Sequence, residues 1–284
     1  MLLLLRWIGR RPLWLLHALG GALGWVAWGI SPTYRRRVRA NAALAGVDEA
    51  TVRASVPEAG RMIAELPRLW LRPPALPIAD PVRWQGAEWL EGELARQRGM
   101  LLLTPHLGSF EVAAQAYVER FGARWPLVAL YRPARFAMLR TLEETARARP
   151  GLETAPASVG GVRQLLRALK AGKTVGMLPD QVPPMGMGVW APFFGRRAYT
   201  MTLAVRLARQ SGAVLGVGWC ERLPKGAGYL LHAQPLAEPP PDDADDEAAA
   251  AAINRSMEAL IRQCPTQYLW GYFRYKGPKE PGRE

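Results

Sequence analysis

Hydrophobic positions in this chain follow two regimes. From Leu13 to Ile30 runs LWLLHALGGALGWVAWGI, eighteen residues with His17 as the one ionisable group. That length is the lower limit for a bilayer-spanning helix, and the Met1–Leu5 run adds apolar length beyond Arg6, Arg10 and Arg11. From about residue 98 the pattern changes to short apolar runs alternating with longer amphipathic stretches. The runs Met100–Thr104, Leu127–Tyr131 and Thr174–Leu178 predict buried strands, and further strands are expected near Ala213–Cys220 and Gly228–Ala233. Helical periodicity covers Phe110–Phe121, Ala134 to about Arg149, Val159–Ala171, Thr202–Gln210 and Ala248–Cys264. Strands separated by helices of ten to fifteen residues imply βαβ units. The expected fold is therefore α/β, a mostly parallel twisted sheet flanked by helices, carrying an N-terminal membrane-anchoring helix. The division expected from composition is 1–45 as anchor and basic juxtamembrane segment, and 46–284 as the α/β domain. Glu238–Glu247, EPPPDDADDE, reads as an exposed acidic loop.

Charge sharpens the picture of the first region. The chain has 37 Lys+Arg against 24 Asp+Glu, and the imbalance is largely arginine. Residues 1–72 hold eleven arginines and four acids, +7 of the net +13. Trp7, Trp14, Trp25 and Trp28 suit a membrane interface, and Tyr34-Arg35-Arg36-Arg37-Val38-Arg39 follows the apolar stretch directly. Such a cluster is expected to meet anionic lipids at the cytoplasmic face. Nucleic-acid binding would account for the arginines but not for the eighteen apolar residues before them, and a cleaved signal peptide would not be followed by an arginine cluster. The body of the protein is thus expected in the cytoplasm. Two cysteines, Cys220 and Cys264, exclude a disulfide framework and are expected to be packing residues.

Three histidines leave few candidates for imidazole chemistry, and His106 is the best placed. It lies in TPHLGSFE between an expected strand and an expected helix, with Pro105 and Gly108 marking a turn and Ser109 a potential helix cap. Glu111 falls in the first turn of that helix. Across such a turn both side chains can reach the carboxyl edge of the sheet, where open α/β folds bind ligands. His106 would serve as general base, with Glu111 orienting the ring and stabilising the imidazolium. Arg132 and Asp180 each follow an expected strand and are placed for the same rim. Arg132 would bind an anionic group, and Asp180 would position the acceptor or Arg132. Trp190, Phe193 and Phe194 are candidates for an apolar groove, aromatic core being the alternative. No phosphate-binding glycine motif or Gly-x-Ser-x-Gly elbow occurs, so no nucleotide, flavin, metal or other cofactor is expected, nor is Ser109 expected to act as a nucleophile.

Several of these blocks together resemble the bacterial lipid A biosynthesis acyltransferases of the lauroyl and myristoyl type, within the wider lysophospholipid acyltransferase group. His106-x4-Glu111 is similar to the family's His-x4-acid signature. Tyr131-Arg132-Pro133 is similar to its second block and Leu178-Pro179-Asp180-Gln181 to its third. Trp190–Gly195 with Thr200, and the ending Gln267–Trp270 with Arg274-Tyr275-Lys276, also resemble it. Ala134-Arg135-Phe136 depart from the expected pattern after Pro133. The resemblance implies acyl transfer from an acyl carrier protein thioester to a hydroxyl of a Kdo-bearing lipid A precursor at the inner membrane. Arg132, Asp180 and Gln181 would contact substrate. The rival readings are an acyltransferase of the same fold acting on another membrane lipid, a hydrolase with a metal on His106, Glu111 and Asp180, and a non-enzymatic lipid-binding adaptor.

Overall fold

A computed structural model describes residues 2–131 and 146–279. The chain begins with four helices, α1 (Leu2–Gly9), α2 (Leu13–Ile30), α3 (Pro32–Leu44) and α4 (Glu49–Trp70). There follow β1 (Val82–Gln85), α5 (Ala87–Ala95), β2 (Met100–Leu103), α6 (Phe110–Phe121), β3 (Leu127–Tyr131) and β4 (Leu152–Pro156). The remainder is α7 (Val159–Lys170), β5 (Thr174–Met177), β6 (Gly188–Phe193), β7 (Arg196–Met201), α8 (Leu203–Ser211), β8 (Val214–Arg222), β9 (Tyr229–Pro235) and α9 (Asp246–Gln263).

Among the described residues, seven strands form one sheet in the order β1-β9-β8-β2-β5-β3-β4. From β8 to β4 every pairing is parallel; β9 runs antiparallel to β8, and β1 follows β9. The α/β expectation and the largely parallel sheet are both present. The central strand explains its own sequence. Leu101 and Leu103 of β2 join a core with α7, α8 and α9, while Met100 and Leu102 pack with α5 and α6 on the other face. A strand covered on both sides has no solvent face, so its residues are apolar without alternation.

Residues 134–145 of the expected helix Ala134–Arg149 lie outside the described residues. Several features, α5 among them, go beyond these expectations. Residues 32–70 form two helices, the second with Pro57 and Pro67 inside it. β1 and β4 are short edge strands. Residues 188–201 form a two-stranded hairpin whose turn, Phe194-Gly195, has positive φ at both residues (46° and 72°), as a two-residue primed turn requires.

The apolar helix α2 is long and apolar enough to cross a membrane by length and composition. In the fold, one of its faces lies along α4. A Cβ on Gly60 would stand 1.9 Å from the Gly20 carbonyl oxygen, and one on Gly24 would stand 2.4 Å from that of Val56, so only glycine permits this approach. Leu13, Leu16, His17, Gly20, Gly21, Gly24 and Trp28 are buried. The opposite face leaves Trp14, Leu19, Leu23, Trp25, Val26 and Ile30 exposed. The arginines that follow also serve the fold. Arg35 donates to the Trp28 carbonyl at 2.8 Å, Arg37 stacks on Phe273 at 4.8 Å, and Arg39 forms a fork with Glu49. Arg35 thereby satisfies an orphan carbonyl at the end of α2.

Candidate active site

Register, rather than sequence proximity, assembles the site. β2 and β5 lie side by side with Leu103 opposite Met177. Three residues beyond each partner stand His106 and Asp180, so two groups 74 residues apart emerge together at the carboxyl edge. The Thr104 N–H donates to the Met177 carbonyl at 3.1 Å and prolongs the pairing into both turns. The Asp180 carboxylate then accepts from the His106 backbone N–H at 2.9 Å and from ring Nδ1 at 2.7 Å. At 2% exposure the carboxylate has almost no water. Burial alone would push its carboxyl up; the adjacent His106, its ring and amide hydrogen bonds and the charge of Arg274 outweigh this and hold it below the ordinary value.

This contact decides the tautomer. An ionised carboxylate only accepts, so Nδ1 carries the proton, and in the neutral ring Nε2 is then the nitrogen with the lone pair. The Gln181 side-chain amide donates to that lone pair across 2.9 Å. Phe110 meets the imidazole edge-on at a centroid distance of 4.9 Å. The backbone carbonyl of His106 accepts from the Leu269 N–H at 3.1 Å, which fixes the turn to the C-terminal segment. That segment is held in its turn: Asn41 donates to the Trp270 and Tyr272 carbonyls at 2.7 and 2.8 Å, and the Val182 N–H donates to the Tyr272 hydroxyl. A ring with one nitrogen on a buried carboxylate and the other basic at a sheet edge is arranged to take a proton from a hydroxyl.

The family model for bacterial lipid A biosynthesis acyltransferases matches residues 1–277. The chain belongs to that family. It is 30% identical over 199 residues to the lipid A biosynthesis lauroyltransferase of Escherichia coli K12, covering 68% of this chain and 62% of that protein. The lipid A biosynthesis palmitoleoyltransferase of the same organism is 27% identical over 195 residues, 68% of this chain and 60% of its own. A lipid A biosynthesis acyltransferase of Shigella flexneri gives the same figures as that second protein. The matches thus span about three fifths of the length of these relatives.

Within this acyltransferase-family chain the signature acid Glu111 has other neighbours than the ring. Its Oε2 accepts from Trp70 Nε1 at 3.1 Å and its Oε1 from Arg147 Nη2 at 3.2 Å. Arg147 also lies over the Tyr131 ring at 4.2 Å, at the end of β3 and therefore on the same rim. The carboxylate hydrogen-bonded to the His106 ring is Asp180, and Glu111 pairs with Arg147. The reason is geometric: Glu111 shares a turn with His106, but Asp180 is delivered by the neighbouring strand directly to Nδ1. Arg132 lies outside the described residues.

Ser109 occupies the helix-cap position without capping; its hydroxyl donates to the buried Glu65 at 2.7 Å. Phe193 and Phe194 are core residues at 2% and 5% exposure, so of the proposed groove aromatics only Trp190 is presented to solvent. Met185 and Met187, shortly after Gln181, are exposed as well. His106, Glu111 and Asp180 do not converge, and among the described residues no group of three His, Cys, Asp or Glu side chains is arranged to hold a metal. Cys220 sends its backbone carbonyl to the Ser109 N–H at 2.8 Å, while its thiol is buried with its pKa pushed up by desolvation. Both features fit a packing cysteine. Sequence reasoning missed Glu65 and Arg222, because charged residues within amphipathic segments resemble a solvated face.

Proposed function

We propose that this protein transfers a fatty acyl chain from an acyl carrier protein thioester to a hydroxyl of a lipid A precursor of the Kdo-lipid IVA type. The single observation that carries the reading is the His106–Asp180 pair, with Nε2 left basic at the sheet edge of a chain belonging to this family. The acceptor hydroxyl would take the place of the Gln181 amide at Nε2. As its oxygen attacks the thioester carbonyl, the proton passes to Nε2, and Asp180 stabilises the imidazolium that forms. The tetrahedral intermediate collapses with cleavage of the carbon–sulfur bond. The leaving thiolate takes the proton back from Nε2, so the products are an ester and a free carrier thiol, with no covalent acyl-enzyme. Displaced from the ring, Gln181 can hydrogen-bond the substrate. Glu111 would hold Arg147 at the rim, and Arg132, next along the chain from Tyr131, would bind an anionic group of the substrate.

The reading extends to the site of action. The exposed face of α2, from Trp14 to Ile30, would lie in the cytoplasmic leaflet of the inner membrane with its other face kept on α4, and exposed arginines such as Arg36 would meet anionic headgroups. Exposed Met185, Met187 and Trp190, in the segment that follows Gln181, would suit an acyl chain. The test uses detergent-purified protein, mixed acyl carrier protein thioesters and the tetra-acylated Kdo-lipid A precursor, with mass spectrometry of the product. One added acyl mass, absent with His106→Ala, is expected. No added mass from folded protein overturns the acceptor assignment, and the same mixture with lysophospholipid then tests the neighbouring lipid class.

A further inference from the structure

Behind the catalytic turn lies a group of buried charges for which the transfer chemistry has no use. Glu65 of α4, 2% exposed, is its centre. Its Oε1 accepts from the Ser109 hydroxyl at 2.7 Å and from Arg222 Nη2 at 3.1 Å. Its Oε2 accepts from Arg222 Nε at 3.1 Å, from the Tyr229 hydroxyl at 3.2 Å and from His17 Nε2 at 3.3 Å. Arg222 also donates to Glu58 at 2.8 Å and to the Gly108 carbonyl at 3.3 Å. The helices α2 and α4, the turn after β2 and the facing ends of β8 and β9 therefore meet on one carboxylate.

A buried ion pair is weak evidence of stabilisation, since apolar replacements of similar volume are often as stable. The destinations of the donors are more informative. Ser109 and Gly108 are the two residues that close the turn begun by His106. Their other side is held by Gln267, whose carbonyl accepts from the Gly108 N–H at 3.0 Å. The Gln267 side chain is itself fixed to the Arg222 backbone in both directions, at 2.9 Å each way. Gly108 has φ +62°, and a Cβ there would stand 2.0 Å from the Cys220 carbonyl oxygen, so the turn is pressed on β8 with no slack. Arg222 thus grips the turn directly and, through Gln267, from behind. His17 reaches the same carboxylate from the apolar N-terminal helix.

We propose that Glu65 and Arg222 are positioning residues for the catalytic turn, and that His17 extends their hold to the membrane-facing helix, so that anchor and base move as one unit. For its kinetic readout the proposal rests on the acyl-transfer reading of His106. The experiment compares full-length Ser109→Ala, Glu65→Gln, His17→Leu and His17→Gln. Leu169→Ala, a core change in α7, serves as a control for general destabilisation. Steady-state rates are measured with acyl carrier protein thioester and the lipid A precursor, and hydrogen exchange is followed in the peptide covering residues 104–112. Expected are a fall in kcat of at least tenfold for Glu65→Gln and threefold or more for Ser109→Ala and His17→Leu, with KM within twofold. The turn peptide should exchange faster in these three while α9 is unchanged, and His17→Gln, which restores a donor, should return kcat to within twofold. Ser109→Ala and His17→Leu with wild-type kcat and turn exchange would overturn the proposal, as would an equal loss of kcat in Leu169→Ala. If the wild-type protein transfers no acyl chain, the functional reading fails, and the exchange comparison still decides the positioning role.

Discussion

Asp180→Asn isolates the contact on which the proposed chemistry depends. The replacement keeps volume and shape but exchanges a two-oxygen acceptor for one acceptor and one donor. In the native site both oxygens are engaged, Oδ2 by the His106 backbone N–H and Oδ1 by ring Nδ1. The asparagine oxygen can satisfy the backbone amide, which leaves its NH2 facing Nδ1. That arrangement favours the tautomer protonated on Nε2, the nitrogen that would accept the substrate proton in the proposed reaction. The imidazolium that the proposed attack would form also loses its counter-charge. Two unit charges about 4 Å apart at an effective dielectric of about 20 interact by roughly 4 kcal/mol, and a hydrogen bond to a charged group is worth about 1.5–3 kcal/mol net. These describe one interaction from two sides, so the loss is about 3–4 kcal/mol. At 1.36 kcal/mol per decade, kcat should fall by roughly 10²–10³. The assay is acyl transfer to the lipid A precursor by purified protein with unchanged melting temperature, with Glu111→Gln measured beside it. Since Glu111 contacts Trp70 and Arg147, its loss should appear mainly in KM, with kcat down by less than tenfold. A Glu111→Gln fall in kcat as large as that of Asp180→Asn would refute the reasoning and return the ring to Glu111.

Further outcomes follow from packing and charge. The Glu65 carboxyl is pushed up by burial but held at about 2 by Arg222, His17 and Ser109, against an ordinary 4.5. Because the folded value is depressed, its stabilisation of about 3 kcal/mol is present above pH 4.5 and is lost as pH falls towards 2. Thermal melts across that window should show the loss, and Glu65→Gln should flatten it; parallel curves would refute the assignment. Gly60→Ala should cost about 2–3 kcal/mol, since its methyl would meet the Gly20 carbonyl, and an unchanged melting temperature would mean that α2 does not lie on α4. Combined Trp14→Ser, Leu23→Ser and Ile30→Ser should weaken binding to anionic vesicles by roughly 3–5 kcal/mol with no loss of melting temperature. Equal flotation of variant and wild type would remove that face from the membrane.

Much of this protein is legible from local pattern. The apolar runs at Met100–Leu103 and Thr174–Met177, and the periodic helices between strands, disclose the α/β sheet because burial on both faces leaves a continuous hydrophobic signal. The same reasoning places His106 at the end of a strand, where a turn brings it to the rim. Residues 32–70 are harder to read, being rich in arginine and interrupted by proline, and their helices depend on packing under the sheet and against α2. What proximity along the chain does not disclose is which carboxylate serves the ring. Glu111 is five residues from His106 and Asp180 is seventy-four, yet parallel register sets Leu103 against Met177 and carries Asp180 to Nδ1. The buried charges are hidden for the same reason. Arg222 is 157 residues from Glu65, and each taken alone looks like a residue on a solvated face. Periodicity along a chain reports the burial of apolar groups, which each segment carries for itself. The pairing of charges is a property of neighbours in space, so the fold alone decides it.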